Sequence, residues 1–411
     1  MKLYKKNHYI ENLNVNDFDK LLFKNEPNFK YKENIAKNFN YAYWICETFD
    51  VYYPLSENKK ELYLVYSIFD KMEINILRIS DKKQIKSLTG HSNFIDKVKN
   101  FYNEKDNHNY LLSSDWNYTL FVWDLDNNYE LKNKIIPGYT NYLYSFLIYF
   151  KFDYIVTSTV GHSTQIDYIK IFSFKNGDFI RDILHTDSND TLYCLIWEKD
   201  KNDKNENYLV ACCYEKVSIF NLINWSLYCN LSTNVEQSCG DYYFSGFISY
   251  DNKYLYTSSN EGYINIWNLY EKMLVKTILI PLASLFKIIP WSIYINYHID
   301  KDDLKLYKYI NNYILVCDKN KQGFLNINII FRIEIDYNEL TNRIENLDDE
   351  TFYKHEIINL TKYKENQPIK MIKKINHPLY KDSILCSYEN NNIDLFVNNP
   401  PIIVDIFNNK K

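Results

Sequence analysis

Hydrophobic and polar positions follow an order that is clearest between Thr89 and Leu125: an apolar segment, a polar break, a second apolar segment, a tight turn and a third apolar segment. Runs rich in aromatic and β-branched residues, bounded by turn residues, predict strands. Tyr110 to Ser114 is one, Asp115-Trp116-Asn117-Tyr118 is a polar turn, and Thr119 to Trp123 returns. The returning Trp123 turns its indole N–H into the sheet, where a buried donor needs an acceptor. Ser113, ten residues back across the hairpin, is placed to accept it, with His91 bonded to Ser113 and a turn carboxylate to His91. Each link contributes about 0.5–1.5 kcal/mol. The expected role is structural, since a hydroxyl tied inside a strand to an indole is no nucleophile.

The same order recurs. Aligned on Trp123, the anchors are Leu77, Trp123, Phe172, Phe220 and Trp267, at intervals of 46, 49, 48 and 47 residues, with weaker copies at Ile327 and Phe396. A period of this length is the mark of a repeat architecture. A small residue is expected ten back from each anchor, and Ser67, Ser113, Thr257, Cys317 and Cys386 fit. In the third and fourth repeats Thr157 or Ser158, and Ala211 or Cys212, take that place. The reading is all-β: a seven-bladed β-propeller of four-stranded antiparallel blades, its ring closed by a terminal strand.

Gly90-His91 with Trp123-Asp124, and Ser113 between them, resemble the WD-repeat β-propeller family. The resemblance runs from about Tyr41 to Phe396 but is complete only once. The family's turn Asp, six before the Trp, is Asn117 here, with Asp115 two residues earlier, so the expected network is His91, Ser113, Asp115 or Asn117, and Trp123. The fifth repeat keeps Thr257, Trp267 and Glu261-Gly262 without a Gly-His; His185 reads as a loop histidine, and Gly161-His162 as falling in a turn between strands. The resemblance implies a non-catalytic scaffold that binds proteins on the face where inter-strand turns and inter-blade loops converge. On that face Trp116, Tyr118, Tyr139, Tyr214, Glu261 and Tyr388 are the candidate contacts. An indole at a two-strand turn has no core to enter, and such aromatics are enriched in binding hot spots.

Two other readings are weaker. Relatives that serve ubiquitin ligases as substrate receptors often carry an Arg two residues after the Asp of Trp-Asp, where Asp126 and Tyr270 stand here. Relatives that bind phosphoinositides use paired arginines, and Arg78, Arg181, Arg332 and Arg343 are all separate. An enzyme using the central channel would need carboxylates or metal ligands on the inner strands. Those strands, read as Tyr43–Phe49, Tyr142–Tyr149, Leu192–Trp197 and Phe244–Ser249, are nearly free of charge apart from Glu47.

Composition narrows the field. Net charge is -4 with both signs scattered and no basic stripe, so nucleic acid is not an expected partner. No apolar run is long enough to span a bilayer, and the start turns polar at once, so a cytoplasmic or nuclear place is expected. The eight cysteines include no Cys-x-x-Cys, and neighbouring Cys212 and Cys213 point to opposite faces of a strand; no metal, cofactor or small-molecule substrate is expected. Seven blades of 46 to 49 residues account for most of the 411 residues, so a second domain has little room; residues 1–40 are read as a segment that forms a short helix or a closing strand, and 41–411 as a single propeller. The alternative closing strand is Pro401 to Phe407. Two insertions interrupt the pattern, near 296–308 and at 336–367, the latter with an acidic run at Glu345 to Glu350.

Overall fold

The computed structural model describes residues 29–37, 48–54, 61–67, 71–139, 143–159, 168–184, 191–200, 203–213, 216–232, 243–249, 252–259 and 261–279, and seven further strands between 285 and 398. Among the described residues the regular elements are all strands, save one 3-10 turn at Lys204–Glu206 capped by Asp203. The N-terminal strand β1 spans Phe29–Lys37. Five antiparallel sheets of four consecutive strands follow. The first holds β2 (Phe49–Tyr52), β3 (Tyr63–Ser67), β4 (Glu73–Arg78) and β5 (Lys83–Thr89). The second holds β6 (Ile95–Asn103), β7 (His108–Asp115), β8 (Leu120–Asp124) and β9 (Glu130–Ile135). The third holds β10 (Leu143–Tyr149), β11 (Tyr154–Thr159), β12 (Tyr168–Ser173) and β13 (Phe179–Leu184). The fourth holds β14 (Thr191–Glu198), β15 (Asn207–Cys213), β16 (Lys216–Asn221) and β17 (Leu227–Ser232). The fifth holds β18 (Tyr243–Ile248), β19 (Tyr254–Ser259), β20 (Tyr263–Asn268) and β21 (Met273–Leu279).

The sixth sheet is a long hairpin, β22 (Leu285–Ile299) and β23 (Leu306–Asp318), with β24 (Phe324–Ile335) and β25 (Phe352–Ile358). Part of each expected insertion is strand. Asn296–Ile299 and Leu306–Lys308 are paired strand, Asn296 opposite Tyr309 and Ile299 opposite Leu306, and 336–367 contains the fourth strand. A hairpin lengthened on both arms keeps its ladder, so extra residues need no loop. The last sheet combines both ends of the chain: β26 (Ile369–Ile375), β27 (Ser383–Tyr388) and β28 (Asn392–Asn398), with β1 paired antiparallel to β28. Residues 401–407 lie outside the described residues.

Two irregularities repeat. In the first five sheets the ladder between third and fourth strands shifts immediately before the anchor, between Ile76 and Leu77, Val122 and Trp123, Ile171 and Phe172, Ile219 and Phe220, and Ile266 and Trp267. A second shift follows the first residue of β6, β10, β14, β18, β22 and β26. Bulges strengthen local twist and re-aim a side chain, and here each anchor packs on the sheet before it. Trp123 joins Tyr63, Val65 and Ile76 of the first sheet, and Phe172 joins Tyr110 and Val122 of the second. Phe220 lies against Val156 and Ile171, and Trp267 against Val210 and Ile219. Leu77 packs on Ile375, Leu385, Ile393 and Leu395 of the terminal sheet. The buried core is therefore a series of face-to-face contacts between successive sheets.

Register corrects the count of ten. Trp123 pairs with Leu111, and Ser113 lies two residues beyond. By the same rule Leu77, paired with Leu64, has Tyr66 beneath it, and Ser67 faces the other way. Ile327 pairs with Ile314, so the residue two beyond in register is Val316 and not Cys317. The third and fourth sheets use Thr157 and Ala211, and the last uses Cys386. Cys212 and Cys213 belong to opposite faces, one packed toward the fifth sheet and the other toward the third.

Candidate functional site

The most constrained local structure is the β7–β8 turn. Trp123 Nε1 donates to Ser113 Oγ at 3.0 Å; Ser113 Oγ lies 2.8 Å from His91 Nε2, and His91 Nδ1 lies 3.0 Å from Asp115 Oδ2. Every donor is used when the serine O–H points to Nε2 and Nδ1–H points to the carboxylate. The other oxygen, Oδ1, accepts the backbone N–H groups of Asn117 and Thr119, each at 3.0 Å. Burial works against the Asp115 carboxylate, but the His91 and backbone donors prevail and hold its pKa below the usual carboxylate range. The residue that closes the network is thus Asp115. Asn117 lies outside it and is exposed, lacing the turn to the preceding loop through Ser92 and Asn93. Counting back from Trp assumed a standard turn length, whereas Tyr118, at φ 61, turns the chain in the left-handed region. Gly90 explains the Gly before His91: its φ is +141, and a Cβ there would lie 3.0 Å from the Phe121 ring, which stacks on His91. Trp267 repeats the indole bond to Thr257 Oγ1 at 3.0 Å. Buried on all sides, Ser113 offers no approach to a substrate.

This rigid base presents Trp116. Its N–H donates to the Phe94 carbonyl at 3.0 Å, its ring meets Phe94 edge-on at 5.6 Å, and it remains 45% exposed. Chain direction places the turns between second and third strands at the same end as the connections from sheet to sheet. Met72 and Ile136, 43% and 71% exposed, share that end with Trp116 and were not singled out from the sequence, where strand-end apolar residues read as core. Glu261 is exposed there and Tyr118 half-buried. Tyr139 is half-buried: its hydroxyl lies 2.7 Å from Thr157 Oγ1, Lys170 sits over its ring at 4.6 Å, and it packs between the second and third sheets. Tyr388 ends β27 opposite Ile369. Tyr214, His185 and Gly161-His162 lie outside the described residues.

The inner strands hold a second correction. In the first sheet the described inner strand is Phe49–Tyr52, which brings in Asp50, while 43–47 lie outside the described residues; β6 and β26 add Asp96, Lys97, Lys99, Lys373 and Lys374. Asp50 is buried; Oδ1 accepts from Val51 N–H and from Lys373 Nζ, both at 2.7 Å, and Oδ2 from Asn100 N–H at 2.9 Å. One carboxylate joins the terminal, first and second sheets. Asp96 is buried too, accepting from Ser114 Oγ at 2.6 Å, beside Lys97, whose ammonium bonds the Tyr144 carbonyl. Burial raises the Asp96 pKa, opposed by Lys97 and aided by Asp115. A carboxyl whose pKa is raised on folding stabilises fully below its unfolded pKa of about 3.9 and loses that contribution as pH climbs through the folded value. Asp96→Asn, which keeps the shape, is expected to raise stability at pH 7 by about 1 kcal/mol and to change little at pH 4. Denaturant titrations at both pH values check this.

Among the described residues no group of His, Cys, Asp or Glu is arranged to hold a metal ion, and no helix is long and apolar enough to cross a membrane. No protein-family model and no curated protein matches this chain.

Proposed function

We propose that this chain is a closed seven-bladed propeller of the WD-repeat kind, completed by Phe29–Lys37, and that it serves as a non-catalytic platform for protein partners. The observation that carries the reading is Trp116, a large indole held out in solvent on a turn whose base is locked by buried hydrogen bonds. Ordering a contact residue before it meets its partner lowers the entropy lost on binding. Met72 and Ile136 extend the apolar surface at that end. The test is capture of partners from the source cell with wild type and Trp116→Ala in parallel, the bound proteins identified by mass spectrometry. We expect the variant to fold with stability within about 1 kcal/mol of wild type, and to lose at least about tenfold in affinity for a captured partner. A partner held equally by both proteins removes Trp116 from the interface.

A further inference from the structure

Among the outer strands, β17 (Leu227–Ser232) stands apart. Each of β1, β5, β9, β13, β21 and β25 lies at one end of its sheet and carries at least one Lys or Arg, the usual means by which a sheet edge discourages a further strand. β17 reads LYCNLS, and the 19 residues from Val217 to Val235 that contain it are the longest run in the chain without Asp, Glu, Lys or Arg. Within its sheet β17 pairs with β16 alone. Its other edge therefore offers backbone N–H and C=O groups with no charged side chain of the strand to deter a partner.

The chain leading into β17 is fixed. Asn221 N–H donates to the Ser226 carbonyl and Trp225 N–H to the Asn221 carbonyl, each at 2.9 Å, with Trp225 in the left-handed region at φ 62. The Trp225 ring lies 5.2 Å from that of Tyr154 in the third sheet, and the Arg181 guanidinium sits 5.8 Å over it. So held, Ile223 and Leu227 remain 45% and 51% exposed. Lys272 reaches the strand from the fifth sheet, its ammonium 3.9 Å from the Tyr228 ring centre.

We propose that β17 pairs antiparallel with β17 of a second copy of this chain. A symmetric strand pair brings the strand against its own copy, so any charge on it must be matched or stripped of water; β17 alone among the outer strands has none. Leu227 of each copy comes alongside the Leu231-Ser232 end of the other, and Ile223 extends the apolar contact beyond the ladder. Six paired residues make a small interface, so the dimer is one of micromolar affinity.

Sedimentation of the full chain is the test, with Kd expected between about 1 and 100 µM. Leu227→Lys places a guard charge on the edge at an exposed position and should raise Kd at least about tenfold. Ile223→Lys, which leaves the strand itself untouched, should raise it too. Leu131→Lys is the control: Leu131 pairs with Trp123 on β9 as Leu227 pairs with Phe220 on β17, is 40% exposed, and should leave Kd within about threefold. Amide exchange in β17 should slow as the protein is concentrated, while exchange in β9 stays constant. A wild type that is monomeric throughout, a dimer indifferent to Leu227→Lys and Ile223→Lys, or a dimer whose β17 amides exchange as in the monomer overturns the pairing. A monomer whose β17 amides gain protection on binding another protein overturns it as well, and gives the edge to a foreign strand.

Discussion

Asp115→Ala is expected to lower the stability of the second sheet by about 3–5 kcal/mol, because it strands two buried donors and a third at the turn at once. His91 Nδ1 and the N–H groups of Asn117 and Thr119 all end on that carboxylate, and His91 and Thr119 are buried away from water. Asn117→Ala, removing exposed bonds to the neighbouring loop, should cost no more than about 0.5 kcal/mol. Urea unfolding of both variants separates them, and equal losses would sink the assignment of Asp115 to the network. The pH dependence has a definite sign. The folded pKa of Asp115 is depressed, so its contribution is present above the unfolded pKa of about 3.9 and disappears as pH falls through the folded value. Wild type and Asp115→Ala should therefore converge in stability on acidification.

The second large effect is expected at Asp50. Asp50→Ala leaves Lys373 and the Asn100 N–H without their acceptor at the meeting of three sheets, at a cost of about 3 kcal/mol, somewhat reduced because Lys373 is 34% exposed. Its location matters more than its size. Amide exchange should quicken in β1 and β26 before it does in β14 to β17, which share no bond with Asp50. Uniform acceleration through all sheets would show that the carboxylate acts on global stability and not on this seam.

What the sequence conveyed and what it concealed divide along physical lines. Anchors spaced by 46 to 49 residues mark one recurring bulge, since a ladder shift before a large side chain must recur wherever sheet packs on sheet in the same way. Counting back from an anchor failed at Ser67 and Cys317 because a fixed offset presumes equal hairpins, and one residue of difference flips a side chain to the other face. Asp115 and Asn117 were indistinguishable for the same reason until turn geometry decided. Tyr139 read as a surface aromatic, yet its hydroxyl has a partner on the neighbouring sheet that no local window contains. Residues 1–40 offered a closing strand or a helix, and Phe29–Lys37 could not be singled out within them because its sequence, FKYKENIAK, is polar; among its described side chains Ile35 enters the core. An outermost strand needs little apolar content, since backbone pairing carries much of its attachment.

That strand also imposes an order on synthesis. Asn34 Nδ2 donates to the carbonyl of Ile393, 359 residues away, and every pairing of β1 is with β28. So distant a contact forms only after a large loss of chain entropy, and is correspondingly late. While the ribosome works through the intervening sheets, the apolar side of the first one, with Phe49, Leu64 and Leu77, lacks the cover that Ile375, Leu385 and Leu395 later provide. Such uncovered surface is where nascent chains associate wrongly or recruit chaperones. The first sheet, made well before β26 to β28, is thus among the last to become safe from its neighbours, and it becomes so when those strands leave the exit tunnel.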